Sequence, residues 1–424
     1  MYFLSVIPKG VLVVSAVLAL ALLGDAMIYA VLPASVEDFG LTVGFVGVLL
    51  SVNRFIRVIS NPLAAAVYDR IGLKKPMLIA VLLAVGSTAA YGLFRSFWPL
   101  LVARVIWGIS YSFLRLGGYL VILEEGSASV RGQLMGFFQA VQRSGNLVGV
   151  ILGAMLADLM GHSSTFLLFA VITFFGIPLI LARRPSLKTS RFGDGSEPFN
   201  SVNTAYEGFN QREQSLETQG VSTLYSLIRW RLYAVYFIRF TIGFCVSGLV
   251  MSTLGLHLRS LEGDSSQIFG LSLGVTTLTG LLLGSRWAFS LGLATYLGML
   301  SDRIGRRKII LGFSILLGLV LVILGTFPIF LLVALVLPML FLASVACEVS
   351  LDASVGDLAY PAIRSRALGW YTTWADLGMA LGPLLGYALV NVLGLETVYL
   401  LASGLLGAGI ATYYFALRDR ELRR

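Results

Sequence analysis

Residues 298–308 read Gly-Met-Leu-Ser-Asp-Arg-Ile-Gly-Arg-Arg-Lys, and residues 65–75 read Ala-Ala-Val-Tyr-Asp-Arg-Ile-Gly-Leu-Lys-Lys. An offset of 233 residues lays Asp69, Arg70, Ile71, Gly72 and Lys75 on Asp302, Arg303, Ile304, Gly305 and Lys308. The same offset carries Arg131, Gly136, Gly145, Gly149 and Gly153 onto Arg364, Gly369, Gly378, Gly382 and Gly386. A register sustained over that distance marks an internal duplication, so both halves of the chain are expected to share one architecture.

The surroundings of the two loops set the medium. Of 424 residues, 57% are hydrophobic and 12% charged, against about 25% charged in soluble domains. Apolar runs of 18 or more residues recur throughout, each long enough to cross a hydrocarbon core about 30 Å thick. They are continuous rather than alternating, which selects helices over barrel strands. Twelve helices are expected, near 11–33, 43–68, 76–94, 97–123, 131–157, 163–183, 231–257, 268–300, 308–326, 329–357, 366–390 and 397–417. The first run continues to Pro33, too long for the apolar core of a removable signal, and reads as helix 1. The 46 Gly suit helices that approach closely in lipid.

Between helices 6 and 7, residues 184–230 are polar without an apolar period, and read as a flexible linker. The expected division is 1–183, a six-helix half; 184–230, the linker; and 231–424, a second six-helix half. Of the 31 Lys and Arg, seven Arg lie within predicted helices and only Arg95 and Arg259 in loops on one side, so 22 fall on the other. Positive charge marks the cytoplasmic side, which places both termini there in a multi-pass protein of a bacterial cytoplasmic (inner) membrane. The net charge of +9 thus reflects topology, and a nucleic-acid partner is not expected. Cys245 and Cys347 sit inside apolar runs, so no disulfide framework is implied.

Over nearly its full length the chain resembles a major facilitator superfamily transporter of the twelve-helix type, and among these the drug:proton antiporters. The stretch 298–308 is similar to that family's G-x-L-x-D-R-x-G-R-[RK] loop; the copy at 65–75 departs from it at Ala65 and Leu73. The resemblance implies an all-α fold of two pseudo-symmetric halves around a central cavity, which rock to expose it alternately. It implies a conformational latch of Asp69, Arg70 and Gly72 in the first half and Gly298, Asp302, Arg303, Gly305 and Arg306 in the second, with Arg306 pairing Asp357. Gly382-Pro383 resembles an antiporter-associated element, though the family carries it on helix 5, where Asn146 stands in place of Pro.

Charges within helices are the functional candidates, because an ionised group in hydrocarbon is costly unless paired or hydrated. Arg104 with Gly108 and Asp25 with Pro33 resemble family elements of helices 4 and 1. At about 1.5 Å per residue, Asp25 lies roughly 12 Å below its helix end and Arg104 about 10 Å below its own, so the two share a level. They read either as a proton-coupling pair, a role that the resemblance implies, or as a static ion pair. Burial disfavours a carboxylate and a nearby Arg favours it, so protonation would follow their separation.

The repeat maps Arg115 onto Glu348 and Arg143 onto Asp376, reversing the charge each time. The expected cytoplasmic gate pairs Arg115 with Asp376 and Arg143 with Glu348 when the cavity faces outward; the alternatives are substrate contact or neutralisation within one half. Cavity candidates are Asn53 and Arg57 on helix 2, Gln139 and Asn146 on helix 5, Arg286 on helix 8 and Asp352 on helix 10, with Tyr29, Tyr111 and Trp374 as aromatic contacts. Gly145, Gly149 and Gly153 lie on the opposite stripe of helix 5 and suit packing. Arg239 is open to two readings, facing the interior or a lipid headgroup.

No ATP-binding loop, metal-ligand pair or cofactor motif is present, so an enzyme is not expected. The function expected is proton-coupled antiport, the efflux of small organic compounds by a monomer in the lipid bilayer. The alternatives are transport of organic or phosphorylated anions, lipids included, by exchange or symport, and a non-transporting sensor. An excess of three Arg over the intramembrane acids suits an anionic small-molecule substrate.

Overall fold

The computed structural model describes residues 7–127, 130–182, 222–268, 271–359 and 364–418. Within these, the helices are α1 Lys9–Ala34, α2 Val43–Ile71, α3 Lys74–Leu93, α4 Phe97–Glu125 and α5 Arg131–Met160, then α6, His162–Phe174 continued by Gly176–Ala182. Next comes α7, in which Ser222–Ile242 and Met251–Glu262 flank the π-helical Gly243–Val250. A short hairpin of β1 Ser265–Ile268 and β2 Leu271–Gly274 precedes α8, Val275–Gly292 continued by Ala294–Ile304. The last four are α9 Arg306–Thr326, α10 Phe330–Leu358, α11 Arg364–Leu393 and α12 Leu395–Arg418. Eleven helices among the described residues are long and apolar enough to cross a membrane. The twelfth, α8, carries Arg286 and Thr276, Thr277 and Thr279, and is interrupted at Leu293.

Three expectations shift. α7 begins at Ser222 rather than 231 and runs to Glu262; the remainder of the expected linker, residues 184–221, lies outside the described residues. The hairpin takes residues expected at the start of helix 8: Ser265–Ile268 and Leu271–Gly274 pair in antiparallel register. Apolarity alone cannot tell a short strand from a helical turn. α6 is continuous in direction but interrupted at Phe175.

The repeated loops close α2 and the second segment of α8 in the same way. Gly72 adopts φ +79° and returns its N–H to the Tyr68 carbonyl at 2.9 Å; Gly305 adopts φ +104° and returns its N–H to Ser301 at 3.0 Å. That left-handed backbone stops a helix at little cost only in Gly. These loops share one end of the molecule with the C-terminal end of α4 and the start of α5, here termed the basic end; the β-hairpin marks the opposite, hairpin end.

Helices α1 and α7 are the inner staves, with 72% and 83% of their apolar windows buried against 33% for α11 and α12. The outer surface is apolar, with exposed Ile59, Trp98, Leu159, Leu331 and Val392 among many. Such a surface belongs in lipid, and the protein is a multi-pass integral membrane protein. The repeated glycines make equivalent contacts. On α5, a Cβ at Gly145 or Gly149 would meet the α1 backbone at Ala19 or Leu23; on α11, one at Gly378 or Gly382 would meet the α7 backbone at Phe240 or Gly248. Gly243 and Gly248 of the π-helical segment receive α11 in return.

Replacing Gly149 with Val is expected to cost about 1–3 kcal/mol through overpacking, read as a fall in the thermal midpoint of purified protein. Gly136, at which a Cβ meets no atom within 4 Å, should accept Ala with no loss. Equal effects at both positions would refute the close-packing account.

Candidate functional site

A cavity of about 610 Å³ lies between the halves, walled by α1, α2, α4 and α5 on one side and α7, α8, α10 and α11 on the other. It closes toward the hairpin end. There Gly255 of α7 packs on Ala30 and Ala34 of α1, and Gly47 of α2 packs on Pro383 and Tyr387 of α11. Asp158 of α5 accepts the Thr277 N–H at 2.7 Å and hydroxyl at 2.6 Å. Arg259 reaches Glu37 at 3.6 Å. Arg54 spans the halves deeper in, donating to the Met379 carbonyl at 2.5 Å and the Ser247 carbonyl at 3.4 Å. At the basic end the wall is exposed at Leu368 and Thr372, so the cavity opens on that side.

Arg104 donates from Nη1 to Asp25 Oδ1 at 2.5 Å and from Nε to the Leu49 carbonyl at 2.9 Å. Its guanidinium has no exposed surface and stands 5.7 Å from the Tyr29 ring centroid. Only Asp25 of the pair borders the cavity. The equal depths counted along α1 and α4 thus correspond to a direct bond, and water or substrate reaches the pair through the carboxylate.

Of the cavity candidates, Tyr29, Arg57, Tyr111, Gln139, Asn146 and Asp352 line it, and so do the gate candidates Arg115, Arg143 and Asp376. Others do not. Asn53 is fully buried where α2 meets Gly108 of α4. Trp374 turns to α7, edge-on to Phe240 at 5.9 Å. Arg286 lies behind the wall, donating to Glu348 at 2.8 Å and to the Ser344 hydroxyl at 3.1 Å. Arg239 faces inward rather than to lipid headgroups, and holds Glu348 at 3.2 Å. In this state, with the basic end open, Arg143 and Glu348 do not pair: two guanidiniums of its own half hold the Glu348 carboxylate, as in the alternative of neutralisation within one half, while Arg143 donates to the Ser290 carbonyl at 3.3 Å. Arg115 donates to the Tyr119 hydroxyl at 3.0 Å and forms no ion pair with Asp376 in this state, in which the basic end stands open.

At the basic end Arg306 bonds Asp357, as the family resemblance implied, and also Asp302 at 3.3 Å. Gly298 lets α8 approach Val349 of α10. Asp69, Arg70 and Arg303 are exposed. In the first half, where Leu73 replaces the pairing Arg, Lys74 donates to the Leu181 carbonyl at 3.3 Å and Glu125 accepts the Gly10 N–H at 3.0 Å, capping α1.

Lining residues that the sequence reading missed include Gln142, Tyr119, Tyr371 and Met379. Gln142 stands three residues after Gln139 and four before Asn146, so the helical period already placed it on the polar stripe. Tyr371 donates to Asp352 Oδ1 at 2.5 Å, a contact between α11 and α10 that no local pattern encodes.

A family model described as Major Facilitator Superfamily matches residues 14–292 and 264–424. The chain is 26% identical over 410 residues to the Multidrug resistance protein MdtG of Escherichia coli O17:K52:H18 (strain UMN026 / ExPEC), covering 94% of this chain and 91% of that one. It superposes on the nucleoside transporter NupG with a TM-score of 0.74 at 14% identity, over 96% of this chain and 99% of the other. A bacterial homolog of the human lysosomal transporter Spinster, inward-facing and occupied, gives 0.73 at 14% identity, over 96% of each chain. At such identities the two structures speak for the fold alone.

Glu348 keeps about a fifth of its side chain exposed. Replacing it with Gln strips two mostly buried guanidiniums of their counter-charge, and is expected to cost on the order of 2 kcal/mol. In a thermal-denaturation cycle with Arg239→Gln, the double variant should lose less than the sum of the singles; additive losses would mean the two are uncoupled.

Proposed function

Because the chain belongs to the major facilitator superfamily, and so is a membrane transporter and not an enzyme, we propose that it exports small organic compounds in exchange for protons by alternating access. The observation that carries this reading is the Asp25 carboxylate, open to the cavity and held from behind by fully buried Arg104. The multidrug resistance relative supports the substrate class. The basic end is read as cytoplasmic because Lys and Arg concentrate there, which makes the state described here the one that loads substrate from inside the cell.

In this scheme the halves, residues 1–183 and 231–424, rock about the cavity. Substrate enters from the basic end while Asp25 is ionised and bound to Arg104. When the hairpin end opens, substrate leaves outward and Asp25 takes up a proton, which it releases inward after return. Protonation removes the charge that holds Arg104, so the two states of Asp25 favour different helix separations. Closure of the basic end brings Arg115 to Asp376 as its gate, and the loops carrying Asp69 and Asp302, with Arg306–Asp357, latch the open state.

A second reading, transport of organic or phosphorylated anions by exchange or symport, is favoured by the lining itself: five Arg, at 54, 57, 115, 143 and 239, face three Asp, at 25, 352 and 376.

Proteoliposomes carrying wild type or Asp25→Asn, loaded with a pH-sensitive dye, test the coupling. Substrate-driven proton flux should fall at least about tenfold in the variant, the loss of an essential proton carrier; equal flux in both removes Asp25 from the mechanism. For the gate, Arg115→Asp and Asp376→Arg should each impair transport, and the double reversal should restore part of it. A double variant no better than either single would dismiss the direct pair.

A further inference from the structure

The proposed exchange leaves the charge of the exported compound open. We infer that the wall of the cavity formed by α2, α4 and α5 is a subsite for an organic anion, a phosphate, sulfonate or carboxylate group carried on an apolar body. The inference rests on reading this cavity as the transport site and deepens that reading by naming the substrate class.

The wall is rich in hydrogen-bond donors, beside the amides of Gln139, Gln142 and Asn146, which both donate and accept. Tyr119 accepts from Arg115 Nε at 3.0 Å, and the Tyr111 hydroxyl accepts from Gln142 Nε2 at 2.7 Å. Each hydroxyl keeps its proton to give to something else. The Arg57 guanidinium lies 3.9 Å from the Tyr111 ring centroid, with its Nε buried and unpartnered, and Arg115 stands 5.9 Å from the same ring. Arg143 spends Nη1 on the Ser290 carbonyl and borders the same space. Among the described residues, none of these three guanidiniums forms an ion pair.

The cavity carboxylates do not balance them. Asp25 is bound to Arg104, and Asp352 accepts from Tyr371 at 2.5 Å. Asp376 is the one cavity carboxylate left without a bond among the described residues. Three guanidiniums outside any ion pair therefore face two carboxylates outside any ion pair, Asp352 and Asp376, in a space walled by protein of low polarisability, where uncompensated charge is costly and attracts its opposite. A surface dominated by charged donors favours a group rich in acceptors, which is the chemistry of an anion. The remaining lining sets apolar Leu22, Ala26, Val150, Met251, Leu283 and Trp287 among the three Asp, Arg54 and Arg239. An amphipathic anion satisfies both the donor-rich wall and the apolar side chains, whereas a lipophilic cation meets uncompensated guanidiniums at that wall.

Calorimetric titration of the full chain in lipid nanodiscs, with empty nanodiscs subtracted, tests the inference using two matched pairs. These are phenyl phosphate against phenyltrimethylammonium and decyl phosphate against decyltrimethylammonium, with inorganic phosphate alone as a fifth probe. At least one organic phosphate should bind about tenfold or more tightly than its cationic match, the discrimination expected of one or two charge-assisted hydrogen bonds. The decyl compound favoured over the phenyl would point to a lipid-like source, the reverse to a compact metabolite. Arg57→Gln with Arg115→Gln should abolish the preference, and Arg57→Lys with Arg115→Lys should retain part of it, each variant first shown monodisperse by size exclusion. A preference for the cations, an anion affinity unchanged in the Gln variant, inorganic phosphate binding as tightly as the organic phosphates, or no binding by any probe would each overturn the inference. No proton movement is read, so failure of Asp25 as coupling site leaves this result intact, and failure here leaves proton exchange intact.

Discussion

Arg104 has no exposed surface, and the rest of the interior is arranged around that constraint. A guanidinium in a membrane interior persists only where bonds replace its water. Here Asp25 of α1 and the Leu49 carbonyl of α2 supply them, so one side chain of α4 ties three helices together. The same rule explains Glu348, which the Arg residues of α7 and α8 reach together. It also explains Arg54, which joins the halves by donating to backbone carbonyls of α7 and α11. Charges with no such partner are found at the cavity wall.

Around this polar interior the two halves repeat one packing scheme. α5 lies on α1 through Gly145 and Gly149, as α11 lies on α7 through Gly378 and Gly382. Contacts made by bare backbone are smooth, and they let helices pack closely without side chains interlocking. The halves differ where α7 turns π-helical between Gly243 and Val250, a departure that α1 lacks. π-helical turns often accompany functional sites, and this one packs on α11 through Gly243 and Gly248.

The two ends of the molecule also differ in chemistry. At the hairpin end, buried apolar side chains and close backbone contacts shut the path, with Asp158, Thr277, Glu37 and Arg259 at the rim. At the basic end, charges that belong to opposite halves stand apart. The packed closure of the hairpin end and the charge-paired closure proposed for the basic end respond to different forces. Salt and protonation act on the second far more than on the first.

How much was legible follows from the range of each interaction. The sequence by itself determined that the chain is a helical membrane protein of two repeated halves, and that Asp25 and Arg104 share a depth. Each of these depends on composition, on the 3.6-residue period or on a helical rise that is fixed along the chain. Tertiary structure alone decided that Glu348 belongs to Arg239 and Arg286, that Asn53 and Trp374 turn away from the cavity, that Tyr371 bonds Asp352, and which end stands open. Those outcomes depend on how separate helices lie against one another. A long Arg side chain reaches whichever carboxylate that arrangement brings near, and no period along a single helix records it.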